Sequence, residues 1–208
     1  MAKVLLLNGS PHADGCTARA LEEMIGVFAD EGVETEVIQV GNKDIRGCVS
    51  CGYCEKNGKC VFNDLVNEVA AKLEEADGLV VGSPVYYSSP NGTILAFMDR
   101  LFYSTSFSKH LKVGAAVVSC RRGGNTATFD VLNKYFTISG MPVAPSTYWN
   151  QVHGFSREDV EKDLEGLQTM RNLAQNMSFM IKAIADAKEK YGAPELEHGA
   201  FTSFADGK

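Results

Sequence analysis

The sequence predicts an α/β domain in which helices cover both faces of a doubly wound, five-stranded parallel sheet. Short apolar runs that suit buried strands alternate along the chain with segments whose apolar residues recur at helical spacing. The connections between these runs are long enough to hold helices, and such crossovers join parallel strands. The chain has 208 residues, 45% of them hydrophobic and 22% charged, which is enough for one well-buried globular core.

Five runs are the predicted strands. The first is a continuous apolar run, as expected of a strand covered on both faces. The third and fourth runs are equally apolar, whereas the fifth is short and contains two prolines. In chain order the predicted strands are residues 3–8, 34–40, 78–83, 112–119 and 141–145.

The first two helices are predicted from apolar spacing and from local start and stop signals. Helical periodicity begins at Thr17, and Gly32 ends it because glycine readily terminates a helix. Asp64 is the expected N-cap of the second helix. The buried positions are Leu21, Met24, Ile25 and Phe28 in the first helix and Leu65, Val69 and Leu73 in the second.

Three further helices complete the alternation. Ser89-Pro90 has the cap and first-turn proline of a helix start. The fourth helix is predicted over residues 125–138, and a capping box of Ser156 and Asp159 starts a long last helix. The buried positions are Ile94, Leu95, Met98, Leu101 and Phe102 in the third helix and Val160, Leu164, Leu167, Met170, Leu173 and Met177 in the last.

Charge and apolar run length exclude several classes of partner. A net charge of −6 and a pI near 5.3 argue against a nucleic-acid or anionic membrane surface. The early apolar run at residues 4–7 is too short for a signal peptide core or a membrane span, so we expect a cytoplasmic protein. Residues 1–192 are predicted to form one domain, with an extended tail at 193–208.

The loop at residues 8–18 follows the first strand and suits a phosphate monoester. Ser10, Thr17 and the free N–H groups of the first helical turn are donors to a phosphate, and the helix dipole favours its charge. The loop lacks the lysine of a P-loop and the G-x-G-x-x-G spacing, which disfavours ATP and a Rossmann dinucleotide. A tight turn with an ordinary helix cap is the alternative interpretation.

Two other loops follow predicted strands. Residues 83–92 contain Tyr86 and Tyr87, against which a planar ring can lie, although aromatic packing beneath a loop is an alternative. In residues 119–125, a pair of glycines allows close approach of backbone to a ligand. Arg121 or Arg122 there can offset negative charge on a reduced cofactor, or form a solvated turn. In an open parallel sheet, loops at the carboxyl ends of the strands form the ligand site.

A cysteine-rich loop at residues 47–62 interrupts this pattern. Its spacing, C-x2-C-x2-C with a fourth cysteine nearby, is typical of a cubane iron–sulfur site, whereas structural zinc more often uses two separated C-x2-C pairs. A zinc module and an exposed thiol-rich insertion remain alternatives, whereas a reducing cytoplasm argues against a disulfide framework. The four candidate metal ligands are Cys48, Cys51, Cys54 and Cys60.

Taken together, these segments resemble the flavodoxin-like NADPH-dependent FMN reductase family and, within it, the iron–sulfur flavoproteins. The matching segments are the 8–18 loop, GCVSCGYCEKNGKCVFND, SPVYYSSPNGTILAFMDR, RRGG and STYWN. The resemblance implies bound FMN, with its phosphate on residues 10–18 and its ring between residues 84–88 and 119–124. Cys16 departs from the family, in which asparagine is usual, and a thiol is a weaker donor. The implied FMN-binding residues are Ser10, His12, Gly15, Cys16, Thr17, Ala18, Pro84, Val85, Tyr86, Tyr87, Ser88, Ser119, Arg121, Arg122, Gly123 and Gly124.

The resemblance implies an FMN-dependent oxidoreductase that passes electrons from NAD(P)H or ferredoxin to an acceptor, with a [4Fe–4S] cluster on the four cysteines as a possible second cofactor. Alternatives are a flavodoxin-like electron carrier without a small-molecule substrate and a flavin reductase that releases reduced FMN. A homodimer or homotetramer is expected because the chain has more aromatic residues than two small loops need: Phe102, Tyr103, Phe107, Tyr148 and Trp149.

Overall fold

A computed structural model describes residues 1–200 and 202, and over these residues it contains six strands and seven helices. The strands are β1 Lys3–Asn8, β2 Glu34–Gln39, β3 Gly78–Tyr86, β4 Ser89–Pro90, β5 Val113–Cys120 and β6 Gln151–His153. The helices are α1 Cys16–Asp30, α2 Tyr53–Asn57, α3 Leu65–Glu75, α4 Gly92–Ser104, α5 Asn125–Ile138, α6 Arg157–Val160 and α7 Leu164–Tyr191. None of these helices combines the length and apolar composition that crossing a membrane requires.

Five of the strands form the predicted doubly wound parallel sheet. Their order is β2-β1-β3-β5-β6, and β4 adds a short antiparallel strand beside the end of β3. In the centre, Leu7 of β1 pairs with Ile38 on one side and Val81 on the other. The chain thus leaves β1 for β2 on one side and then crosses to β3 on the opposite side, which creates the topological switch point of such sheets.

Helices cover both faces of the sheet because successive residues of a strand point to opposite sides. In β1, Val4 and Leu6 belong to one buried cluster, which includes apolar residues of α1 and α7. Leu5 and Leu7 belong to the other, with residues of α3, α4 and α5. Each face therefore has its own apolar core, and the strand ends remain available for a site.

The predicted strand at residues 141–145 is wrong. There Val143 makes an isolated parallel bridge to Gly114, whereas the fifth parallel strand is β6, which pairs with the end of β5. β6 lies at the sheet edge and has two polar residues, Gln151 and His153, on either side of Val152. It lacks the apolar run by which β1, β3 and β5 are found, since an edge strand needs less burial.

The predicted start of the third helix at Ser89-Pro90 also differs in the structure. Ser89 and Pro90 form β4, and the cap of α4 is Asn91, whose side chain accepts a hydrogen bond from the Thr93 N–H at 2.9 Å. Asn91 replaces Ser89 in this role because the β4 pairing holds Ser89 and Pro90 in extended backbone.

The predicted long last helix is divided into two. Ser156 and Asp159 do form a capping box, but the helix they start, α6, ends at Val160. Asp163 then caps α7 by accepting from the Gly166 N–H at 2.9 Å. Leu164 at the start of α7 is 72% exposed and not part of the buried stripe, because the break rotates it away from the core.

The tail predicted at 193–208 is described only in part. Helix α7 ends at Tyr191, and residues 193–200 and 202 have no helix or strand and are exposed. Residues 201 and 203–208 lie outside the described residues. Within the cysteine-rich loop, the structure adds α2, a short helix that its glycine-rich sequence did not predict.

Candidate functional site

Most of the predicted site residues meet in a cleft of about 540 Å³ at the carboxyl ends of β1, β3 and β5. This is the edge at which the switch point between β1 and β3 opens. Its walls come from the loop after β1, the end of β3, the end of β5 and the segment around α6. The cleft thus joins the three predicted loops and adds a fourth wall.

The N-terminus of α1 opens into this cleft with its first N–H groups uncapped. Gly15 is the N-cap, has no side chain to accept from them, and is followed by no acidic residue in the first turn. By contrast, Asp64, Asn91 and Asp163 cap α3, α4 and α7 with their side chains. Unpaired N–H groups and the positive end of the helix dipole favour an anion at this position.

A hydrogen-bonded triangle holds the loop after β1 in place. The Asn8 amide donates to Gln39 Oε1 at 2.8 Å, and the Gln39 amide donates to the Ser10 carbonyl at 2.6 Å. The Ser10 N–H closes the triangle by donating to Asn8 Oδ1 at 3.0 Å. Behind the loop, a Cβ on Gly41 would stand 2.3 Å from the Gly9 carbonyl oxygen, so only glycine fits there. The loop is therefore rigid before any ligand arrives.

Thr17 is buried and already has a hydrogen-bond partner. Its hydroxyl lies 2.8 Å from that of Ser119 at the end of β5, and both side chains are almost fully buried. Whichever hydroxyl accepts within the pair retains its own O–H for another acceptor. The pair thus ties the first helical turn to β5 and leaves one donor at the cleft, rather than two independent ones.

The tyrosine loop divides into a part that faces the cleft and a part that does not. Pro84, Val85 and Tyr86 line the cleft, and Tyr86 is 45% exposed. Tyr87 and Ser88 have φ values of 51° and 57°, a left-handed conformation that non-glycine residues rarely adopt. This turn directs Tyr87 outward, where it is fully exposed.

The third loop packs against the second. Gly124 has a φ of 86°, and a Cβ there would stand 2.7 Å from Ser88 Oγ, so a glycine is required. Gly124 is also the N-cap of α5, which has neither a side-chain cap nor an acidic residue in its first turn. Arg121 lines the cleft. The two loops are therefore one unit beside the cleft.

The segment around α6 forms a wall that sequence reasoning missed. Phe155, Ser156, Arg157 and Glu158 line the cleft opposite Asp14, and Phe155 is exposed. Arg157 pairs with Asp14 at 2.6 Å and also with Glu22 of α1. The capping box at Ser156 was visible in the sequence, but its packing against a loop far away in the chain was not.

Predicted site residues divide accordingly. Those that line the cleft are Ser10, His12, Gly15, Cys16, Thr17, Pro84, Val85, Tyr86, Ser119 and Arg121. Those that lie outside its lining are Ala18, Tyr87, Ser88, Arg122, Gly123 and Gly124. The residues that line it without having been predicted are Asp14, Cys120, Gly154, Phe155, Ser156, Arg157 and Glu158.

Two cysteines line the cleft, Cys16 half-buried and Cys120 buried. Burial raises the pKa of both Cys16 and Cys120 above that of a free thiol, because it disfavours the thiolate. Cys16 donates weakly to the Gly154 carbonyl, with Sγ and O 3.6 Å apart. Cys16 therefore links α1 to the segment before α6, and it stays protonated at neutral pH.

The four cysteines of the 47–62 loop line a second, smaller cavity of about 70 Å³. All are free thiols; Cys48 and Cys51 are exposed, and Cys54 and Cys60 are half-buried. Helix α4 completes the cavity with Arg100, Tyr103 and Ser104. Over the described part of the chain, no set of three or more His, Cys, Asp and Glu side chains is placed to hold a metal ion. The thiols thus share a cavity without being drawn together as ligands.

Comparisons with known proteins agree with this geometry. The family model for NADPH-dependent FMN reductases matches residues 2–155. An iron–sulfur flavoprotein of Methanocaldococcus jannaschii is 34% identical over 190 residues, which cover 88% of this chain and 98% of that protein. An iron–sulfur flavoprotein of Methanosarcina thermophila is 28% identical over 192 residues, covering 90% and 100%. A flavodoxin from the Archaea superposes with a TM-score of 0.59 at 17% identity, covering 88% of this chain and 99% of the other.

Proposed function

This chain belongs to the NADPH-dependent FMN reductase family and is an FMN-binding, flavin-dependent oxidoreductase, and from that premise we propose that NAD(P)H is its electron donor. When bound, FMN supplies the redox chemistry, while the protein binds and orients it. The proposal is supported by the cleft at the switch point, which is open to solvent and whose lining includes the exposed side chains of Tyr86 and Arg121. An open cleft would allow a nicotinamide to reach a bound flavin ring.

The observation that carries the FMN site is the uncapped N-terminus of α1 at the end of β1. The phosphate would accept from the N–H groups of residues 16–18 and from the hydroxyl that the Thr17–Ser119 pair leaves free. Pro84, Val85 and Tyr86 would flank the ring on one side, and Arg121, which follows β5 and lines the same cleft, would offset negative charge on the reduced ring. A cleft of about 540 Å³ is within the usual size of a cofactor site.

We propose a [4Fe–4S] cluster as the second cofactor, because the four thiols that line the cysteine cavity are the ligand type and number such a cluster requires, although they are not drawn together as ligands. Four thiols line it, and the Ser104 hydroxyl beside them is buried with no hydrogen-bond partner among the described residues. A cluster sulfur in the cavity would give this hydroxyl an acceptor. Such a cluster would supply one-electron transfer, held by Cys48, Cys51, Cys54 and Cys60.

Ferredoxin is the second candidate donor. Cys48 and Cys51 are exposed, so the cysteine cavity lies at the protein surface, where a one-electron carrier can approach. We also propose that the protein forms a homodimer or homotetramer. Phe102 and Phe107 pack against the core, whereas Tyr103, Tyr148 and Trp149 stay largely exposed and are the aromatic side chains that a second subunit would cover.

One anaerobic preparation tests both cofactors. Titration should show FMN bound in preference to FAD, and the loaded protein should oxidise NADPH or NADH. Reconstitution with iron and sulfide should load about four irons per chain. Cys54→Ser should reduce the iron content, whereas Cys120→Ser, a buried thiol outside the cavity, should not.

The possible outcomes separate the alternatives. Firmly held FMN without any NAD(P)H oxidation would indicate an electron carrier or a ferredoxin-dependent enzyme. Release of the flavin after reduction would indicate a flavin reductase that treats FMN as a substrate. Substoichiometric iron with four freely titratable thiols would leave an FMN enzyme without a cluster, and bound zinc would replace the cluster by a structural site.

A further inference from the structure

Arg100 is a fully buried cation beside the cysteine cavity. It lies on α4, is 1% exposed, and is among the residues that line the cavity together with the four cysteines. Its Nε–H donates to Cys60 Sγ, with the two atoms 3.2 Å apart. An arginine is rarely buried to this extent unless its charge and its N–H groups have partners.

The position of the guanidinium is determined by contacts other than the one to sulfur. Its two terminal nitrogens donate to the two carboxylate oxygens of Asp64 at 2.8 and 2.9 Å. One of them also donates to the Arg46 carbonyl at 3.2 Å, and the guanidinium stacks 5.0 Å from the ring centre of Phe62. This bidentate, stacked geometry suits arginine and not lysine. The Nε–H is thereby pointed at the Cys60 sulfur.

The charge of Arg100 is weakly screened on the side of the cavity. The Asp64 side chain is 28% exposed, so solvent reaches the carboxylate but not the guanidinium. One helical turn further along α4, the Ser104 hydroxyl lines the same cavity and has no partner within the described part of the chain. The helix thus presents a charged N–H donor and a neutral O–H donor to the site of the cysteine sulfurs.

We propose that Arg100 is a positioning residue that raises the reduction potential of the cluster held by the four cysteines; this rests on the cluster proposed above. Reduction adds one electron and hence one negative charge, and no bond to Arg100 forms or breaks. Hydrogen bonds to the sulfurs and nearby charge are among the factors that set cluster potentials. A buried cation that donates to a ligand sulfur stabilises the reduced form more than the oxidised form.

The test is a potentiometric titration of reconstituted protein with dithionite, followed by the EPR signal of the reduced cluster. Arg100→Gln should lower the equilibrium constant for reduction about tenfold, which is 59 mV for a one-electron couple. Asp64→Asn should raise the potential instead, because it removes the negative charge that offsets Arg100. Asparagine also keeps the cap of α3, since its side chain can accept from the Val66 N–H as Asp64 does.

Arg46→Gln is the matched control. Arg46 stacks on the same Phe62 ring at the same 5.0 Å, but it is exposed and its side chain does not donate to Cys60. Its charge is screened by water and salt, so its removal should change the potential far less. A purely structural role for Arg100 predicts that the Arg100 and Asp64 variants lose iron together, with no opposite shifts in potential.

The outcomes distinguish this inference from the cluster itself. Wild-type protein that takes up no iron overturns the cluster and the inference with it. Loaded Arg100→Gln protein with an unchanged potential overturns the inference alone. If circular dichroism shows that Arg100→Gln does not fold, the reduction potentials of Asp64→Asn and Arg100→Lys test the inference instead. Lysine keeps the positive charge but not the fixed Nε–H donor to Cys60, so Arg100→Lys should still lower the potential. An upward shift for Asp64→Asn together with a downward shift for Arg100→Lys supports the role of Arg100, and any other pair of shifts contradicts it.

Discussion

Two adjacent tyrosines face different surroundings because of a turn in the backbone. Tyr86 lines the cleft, whereas the left-handed turn at residues 87 and 88 directs Tyr87 into solvent. We therefore predict that Tyr86→Ala weakens FMN binding by about 0.5–1.5 kcal/mol, the value of an aromatic pair. Tyr87→Ala, the matched control, should leave it nearly unchanged. Quenching of flavin fluorescence on titration measures both, and equal losses for the two variants would contradict this assignment.

At the scale of the element, the segment around α6 is held over the cleft by ion pairs to α1. Arg157 bridges Asp14 and Glu22, and Arg19 of α1 pairs with Glu161 at the end of α6. These pairs are partly exposed, so salt screens them and each is worth about 0–1 kcal/mol. The segment is thus attached to α1 by contacts that can be weakened without unfolding the core.

We predict that Arg157→Gln speeds FMN release up to about fivefold, the change that about 1 kcal/mol permits. Added NaCl should have the same effect on the wild-type protein and a smaller effect on the variant, which keeps only the Arg19–Glu161 pair to α1. Lys162→Gln is the control, because Lys162 pairs with Asp159 within the same segment and not with α1. Stopped-flow release of flavin measures the rate, and an equal acceleration by Lys162→Gln would show that the bridge to α1 is irrelevant.

For the molecule as a whole, the packing of α5 on the start of β5 lies at the opposite end of that strand from the cleft. Gly114 lies at the start of β5, far from the strand end that lines the cleft, and the ring of Phe136 packs directly on it. A Cβ there would stand 2.5 Å from the Phe136 ring. Overpacking of this kind distorts a core without touching the ligand site.

Gly114→Ala should therefore lower the free energy of unfolding by about 1–3 kcal/mol, the usual cost of overpacking. FMN affinity of the folded fraction should remain unchanged. Gly26→Ala in α1 has open space around its Cβ and should instead be neutral or stabilise by up to about 1 kcal/mol, because alanine favours the helix. Urea denaturation measures both, and a shared loss of FMN affinity would show that core and cleft are coupled.

Local signals in the sequence were sufficient to predict the doubly wound sheet and the position of the loop after β1. Buried strands need continuous apolar runs, and Asp64 and Ser156 are caps whose partners lie within three residues. The same reasoning failed at residues 141–145, because apolar content alone cannot say which segment pairs at a sheet edge. β6 has only one buried residue, Val152, and it becomes a strand because it pairs with β5.

Tertiary structure decided what local patterns do not encode. The spacing of the four cysteines was enough to predict a metal or cluster site. Arg100, however, lies on a helix forty residues after Cys60 and contacts it only once the chain has folded. The wall of the cleft around α6 likewise depends on ion pairs between residues more than a hundred positions apart. Periodicity and capping report interactions between near neighbours in the chain, whereas a site is built from contacts whose partners only the packed sheet and helices bring together.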